Sequence, residues 1–563
     1  MKSKTYINIH TLYFIFIAIL LISCTSDDTQ ITATSSGLDE TMNILGGKEN
    51  LFKHNVLSFH AEGKNFEWEQ PKPSKPNPLV GGNFDYNFSS DILNRKVRID
   101  FNHIKYDNPY AYDTYGGKVI INDKKGSMGG EYHWQSFYFG LTDPVAMYAS
   151  RIEAIIKNQL MANPIALIKK AYELNIAVSS NEIVIPYAYE DLFIKLKVDS
   201  DTKLPLSAEI LEEDFLNGDV IFKVTYNDWK NIGEVIYPHH LRYYLNGNQI
   251  KEETLDNVKF LSEYEENKFT TELVNLDISY DPFLAKHGVY FSQWHHRWLA
   301  WGIPIDQRLD NGAIILEEFD LNSFGFTNQS VSPNIKIIGR PDLRTWTVAI
   351  EVENGIYVVD APLNVYWTSS CIDAIKRAFP NKPIIGAITT HTHHVTFGGI
   401  RQLLSETDKL FVGRNGMEEA ERAINADFTL MPDDFQGLSR SIEIIPVDSI
   451  TKLNNGEIEV RRLVTADPEG TELSGPHADD MCVIYLPNEK VLIEVDHFWT
   501  GEFMNIWDRN TNNTYSEKGR TELQRTGNYL LDYINENELE IKTIIGIHGG
   551  VGTMEELKRV CNE

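Results

Sequence analysis

Cysteine is scarce and poorly placed for cross-linking: four occur in 563 residues, and none forms a Cys-x-x-Cys pair. That excludes a disulfide framework and a cysteine-based metal knuckle. Basic residues are also short, with 52 Lys and Arg against 80 Asp and Glu for a formal net charge of -28. So acidic a chain repels polyanions, which argues against nucleic acid or an anionic lipid surface as partner. Internal repeats, a phosphate-cradling glycine loop and a nucleophile-elbow serine are all missing. The apolar run Leu12 to Ile22 is too short for a comfortable membrane span, and no other stretch reaches that length.

What the first residues do contain is a targeting pattern. Lys2 and Lys4 precede the apolar run, which ends in Leu21-Ile22-Ser23-Cys24. Residues 1–24 therefore read as a signal segment set apart from the fold. Its end resembles a bacterial lipobox, which implies acylation of Cys24, with an ordinary secretory signal as the alternative. Several acyl chains on one residue anchor a protein stably. The expectation is a lipid-anchored protein of the bacterial cell envelope, placed on the outer membrane by the likeness of its tether to those of Gram-negative lipoproteins. Residues 25–44, rich in Ser, Thr and Asp, read as that flexible tether. Cys371, Cys482 and Cys561 remain, an odd number, and the first two sit among apolar residues as buried thiols.

With 42% hydrophobic residues, the chain has material for two cores. Residues 45–275 read as a β-rich antiparallel, α+β domain. Val97, Ile99 and Phe101 alternate with polar residues, as do Leu192, Ile194, Leu196 and Val198, and Asn217-Gly218 marks a hairpin. Two helices interrupt it: one carries Ile152, Ile155, Ile156 and Leu160 on a stripe, and the other starts at Asn163-Pro164. The stretch from Leu204 to Gly247 resembles the curved sheets of lipoprotein-carrier-like domains. Aromatics at Trp134, Phe137, Tyr138 and Phe139 read as core or as the wall of an apolar ligand site. His239-His240 and the cluster Trp294-His295-His296-Arg297-Trp298 read as packing or surface residues.

From 276 to 563, strands and helices alternate. The most informative run is Thr390-His391-Thr392-His393-His394-Val395-Thr396-Phe397-Gly398-Gly399, which closes the apolar segment Ile384 to Thr389. In an extended chain His391, His393 and Val395 project to one face and His394 to the other, so two imidazoles converge. Glycines at 398 and 399 would let the backbone pass close to whatever they hold.

These residues resemble the signature of the metallo-β-lactamase superfamily, His-x-His-x-Asp-His followed by Gly-Gly, with Val395 and Thr396 at the places of the Asp and the last His. Gly475-Pro476-His477 before the strand Met481 to Leu486, Asp496 at the end of Val491 to Val495, and His548-Gly549-Gly550 after Ile544 to Ile547 are similar to its later motifs, and the hairpin Trp346 to Pro362 to its opening. The resemblance implies an αβ/βα sandwich, with Phe319 to Pro333 an inserted loop. It implies metal ligands at His391, His393, His477, Asp496 and His548, with Asp496 and His548 also serving catalysis. Three histidines suit one zinc with a water in the fourth position. The second metal site is degenerate, because Val395 has no lone pair. Iron, held by two histidines and Asp496, is the alternative ion. The expected activity is hydrolysis of an ester, thioester, lactone, amide or phosphoester in a small-molecule substrate. The alternative is a ligand-binding protein that keeps the fold without the catalysis.

Overall fold

The computed structural model describes residues 36–67, 79–106, 113–114, 117–130, 144–147, 149–271, 280, 282–292, 331–340, 345–438, 440–464, 480–500 and 517–562. Outside them lie the signal segment with Cys24, the aromatic run Trp134 to Phe139, the Trp294 to Trp298 cluster and His477.

Residues 56–261 contribute to one thirteen-stranded sheet. Its middle strands are β1 (Val56–Glu67), β2 (Leu79–Asp91), β3 (Lys96–Tyr106), β4 (Pro205–Asp214), β5 (Gly218–Ile232), β6 (Val235–Leu245) and β7 (Asn248–Leu261). They run β3-β2-β1-β7-β6-β5-β4, each antiparallel to its neighbour. Period-two alternation builds the inner face: Val220, Phe222, Val224 and Tyr226 of β5 are buried, while Ile221 is exposed.

Helices α1 (Ser36–Ile44), α2 (Lys48–Lys53), α3 (Ala149–Met161), α4 (Pro164–Glu173) and α5 (Pro282–Tyr290) accompany this sheet. Asn163 caps α4 by accepting a hydrogen bond from the Ala166 amide, with Pro164 in the first turn. Two expected boundaries shift. The tether expected over 25–44 gives way to helix at Ser36, because Leu38 and Met42 reach the sheet's core. The first domain, expected to end at 275, extends through α5, whose Val289 and Tyr290 join the same core together with Phe291.

The second half forms two six-stranded sheets. In the first, β8 (Ile335–Arg340), β9 (Thr345–Val352), β10 (Gly355–Val359), β11 (Ile384–Ile388), β12 (Lys409–Gly413) and β13 (Glu443–Val447) follow in chain order, antiparallel up to β10 and parallel beyond it. In the second, β14 (Ile450–Leu453), β15 (Ile458–Val464), β16 (Asp480–Leu486), β17 (Val491–Glu494), β18 (Thr543–Gly546) and β19 (Gly550–Gly552) do the same, with β17 and β18 the parallel pair.

Alternation gives each sheet two apolar faces. Val348, Ile350, Val359 and Ile388 meet Val460, Ile484, Ile493 and Ile545 in a core between the sheets. The outer face of the first sheet packs on α6 (Val365–Ala378), α7 (His394–Phe397), α8 (Ile400–Leu404) and α9 (Met417–Asn425). That of the second packs on α10 (Glu517–Glu536) and α11 (Met554–Asn562). The layers are helix, sheet, sheet, helix. No helix among the described residues is long and apolar enough to cross a membrane.

The loop after α9 ties the sandwich to the N-terminal sheet. Asp219 accepts from the Thr429 amide and hydroxyl at 2.9 Å each. Glu213 Oε1 accepts from the amides of Leu430 at 2.5 Å and Met431 at 2.6 Å.

Candidate metal centre

Strand β11 ends at Ile388, and the chain leaves it as a loop before α7 begins at His394. The strand-like alternation expected through Val395 therefore stops early. The Phe397 amide donates to the His393 carbonyl at 2.7 Å and the Gly398 amide to the His394 carbonyl at 2.8 Å, closing a helical turn. Val395 consequently packs against the helical layer. The Thr396 hydroxyl donates to the carbonyls of His391 at 2.9 Å and His393 at 3.0 Å, so it closes the loop on itself. The glycines also serve a different contact from the one expected. A Cβ on Gly398 would lie 2.1 Å from the Leu363 carbonyl and one on Gly399 1.9 Å from the Thr368 hydroxyl, so the close approach is to the start of α6.

His391 is buried and His393 half-buried, their rings 5.6 Å apart and 29° from parallel. His394 is buried with its ring 4.3 Å from that of His393, edge-on. Asp496 follows β17 in the left-handed region at φ 62°, a conformation Asp tolerates better than most residues. His548 follows β18 on a turn whose Gly549 and Gly550 have φ 105° and 96°. Thr500 holds that turn by donating to the Gly550 carbonyl at 2.8 Å.

Backbone bonds stitch the two sheets together at this edge. The Cys482 amide donates to the Thr390 carbonyl at 2.7 Å and the Trp346 amide to the Ile547 carbonyl at 3.0 Å. Asp496 is thereby set between the imidazoles of two sheets. Its Oδ2 lies 3.7 Å from His391 Nε2 and its Oδ1 lies 3.3 Å from His548 Nε2.

Sequence reasoning gave no role to Asp360, which ends β10 at φ 63° and is fully buried. Its oxygens accept from the Thr390 amide at 2.7 Å and the Thr390 hydroxyl at 2.8 Å. The same hydroxyl lies 3.4 Å from His391 Nδ1 and steadies the ring with Nε2 toward Asp496. Burial pushes the Asp360 carboxyl up to about 8 against the pull of the Thr390 hydrogen bonds, and the charge of Asp496 adds to the rise. The available signal was a carboxylate ending an apolar strand, one strand before the histidines.

The donor types suit a cation, but the ligand atoms of His391, Asp496 and His548 do not all lie within 4.8 Å of one another. Ligand atoms around a tetrahedral zinc stand roughly 3.3 Å apart. The two Asp496 to imidazole gaps are of that size, longer than hydrogen bonds and made by buried or half-buried groups. His391, Asp496 and His548 are brought together, with His393 stacked beside His391. His477 lies outside the described residues. Tighter mutual spacing occurs elsewhere: among the described residues, His60, Glu62 and Asp85 form the group of ligand atoms all within 4.8 Å of one another.

The fold and site define a four-layer α/β sandwich carrying a carboxylate and imidazoles on strand-end loops along one edge. No protein-family model matches this chain, and no curated protein matches it. Among solved structures, the DIM-1 metallo-β-lactamase shares 16% identity over 41% of this chain and 93% of its own, with TM-score 0.27. FIM-1 from Pseudomonas aeruginosa, solved in a mono-zinc form, shares 14% over 41% and 91%, with TM-score 0.28. The flavodiiron protein of Giardia intestinalis shares 14% over 42% and 57%, with TM-score 0.31. Likeness at such scores carries no argument of its own, so the functional reading rests on the layers and the site.

Proposed function

We propose that this chain is a metal-dependent hydrolase of small molecules, tethered to the bacterial cell envelope through acylated Cys24. The observation that carries this reading is Asp496 standing between His391 and His548 at the shared edge of two sheets. One zinc would be held by three of His391, His393, His477, Asp496 and His548 with water in its fourth position, and iron is the alternative ion. Zinc bound there supplies an acidified water and polarises a carbonyl or phosphoryl oxygen.

The remaining work falls to the chain's own groups. Thr390, held by Asp360, would steady the His391 ring. Asp496 orients the attacking water by accepting from it. His548, 17% exposed, would exchange a proton with the departing group where it is not itself one of the ligands. The cleavable bond is that of an ester, thioester, lactone, amide or phosphoester.

Val395 and Thr396 favour a second reading, a ligand-binding protein without catalysis, because the first packs into the helical layer and the second closes its own loop. A panel of chromogenic esters, lactones and phosphoesters separates the two. Hydrolysis that chelation abolishes, and that Asp496→Asn lowers at least a hundredfold, supports the enzyme; no turnover by the zinc-loaded chain on any of them supports the binding protein.

A further inference from the structure

A second group of ligand-type side chains lies on the outer face of the N-terminal sheet, far in sequence from the sandwich. His60 and Glu62 are two residues apart on β1 and so share a face. The register sets Glu62 directly opposite Asp85 of β2, and His60 opposite Asp256 of β7. Directly opposed like charges destabilise a sheet, so the Glu62/Asp85 pair calls for a positive charge between them.

The imidazole of His60 is oriented for that purpose. Nδ1 lies 3.1 Å from Asp256 Oδ1, and Nε2 lies 3.0 Å from Asp85 Oδ1. Asn102 donates to the same Asp85 oxygen at 2.6 Å, holding the carboxylate in place. A neutral ring that donates from Nδ1 to Asp256 presents the Nε2 lone pair to a carboxylate oxygen. Two electron pairs do not face each other at that distance without a cation between them. A separation of 3.0 Å is that of a hydrogen bond, so a proton fills this gap, and a metal ion would have to displace it and lie to one side of the two atoms. A carboxylate on the far nitrogen of a histidine whose near nitrogen faces two more carboxylates is the usual arrangement behind a metal ligand.

We propose that His60 Nε2, Glu62 and Asp85 form a divalent transition-metal site, zinc by ligand type, with Asp256 as the residue that positions His60. One nitrogen and two carboxylates leave the remaining positions to water or to a ligand. The ligand atoms already lie within 4.8 Å of one another, and the exposed Glu62 side chain has the freedom to close the rest. An open groove runs from the site past Lys64, Asn83, His240 and Glu252, giving entry from solvent.

Zinc titration of the full chain, after chelator treatment, tests this independently of the sandwich. His60→Gln and Asp85→Asn are expected to remove one zinc equivalent that His391→Ala leaves in place. Asp256→Asn is expected to weaken that equivalent 10- to 100-fold without removing it, which loss of a salt bridge alone would not do. Unchanged circular dichroism in each variant keeps a folding defect from imitating the result. Equal zinc stoichiometry and affinity in the wild type, His60→Gln and Asp256→Asn would overturn the site and leave a proton as the cation.

Discussion

Thr396 shows how one side chain decides what the histidine loop can hold. Its hydroxyl satisfies two carbonyls of the loop that carries His391 and His393. Thr396→Val keeps the shape and deletes both bonds, while the His391 carbonyl keeps the Thr389 hydroxyl and the His393 carbonyl keeps the Thr396 and Phe397 amides. The expected cost is about 0.5–1.5 kcal/mol by denaturant unfolding, and zinc affinity at His391 should fall with it. A wild-type unfolding midpoint in the variant would show that the loop is held elsewhere. At this scale His391, Asp496 and His548 were legible, because each ends or follows an apolar strand. The direction of Val395 was not. A one-turn helix starting within the motif is too short to leave a periodic trace, and strand alternation carried the reading past the point where the strand stops.

Among the elements, the loop joining α9 to β13 is held on the sandwich side by Arg401 of α8. The buried guanidinium of Arg401 pairs with Asp433 and donates to the carbonyls of Ala423, Ile424 and Ala426. Phe428 and Phe435 lie 4.6 and 4.8 Å from it on their ring faces. Arg401→Ala leaves Asp433 buried without its partner and is expected to destabilise the sandwich by roughly 3–5 kcal/mol. A loss below about 1 kcal/mol would mean that the loop holds itself. The sandwich strands were readable from their apolar runs, and α4 from its cap. Helix α1 was not, since its Ser, Thr and Asp content resembles a tether and only contact with the sheet reveals Leu38 and Met42 as core. Arg401 likewise looks like a surface charge until the fold brings Asp433 and two aromatic rings to it.

For the molecule as a whole, Glu213 makes the union of sheet and sandwich depend on pH. Burial raises its carboxyl from 4.5 to about 7, although the amides of Met431 and Leu430 pull the other way. A carboxyl that binds its proton more tightly when folded contributes stability that is full below about pH 4.5 and is lost as pH rises through about 7. A rise of that size is worth on the order of 3 kcal/mol. Glu213→Gln still accepts both amide bonds and cannot ionise. Its stability relative to the wild type should therefore increase between pH 5 and 8, followed by thermal unfolding, whereas a constant difference would place the pH dependence on other groups. No feature of the sequence announces this contact, because its partners stand more than 200 positions apart.

Asp496 is proposed to gather imidazoles from two sheets around one cation. Zinc content per chain, measured in a His60→Gln background with and without Asp496→Asn, tests it most directly. One equivalent in the background protein, lost on adding Asp496→Asn while the chain stays folded, is the predicted result. No zinc in either protein, or the same amount in both, would contradict it.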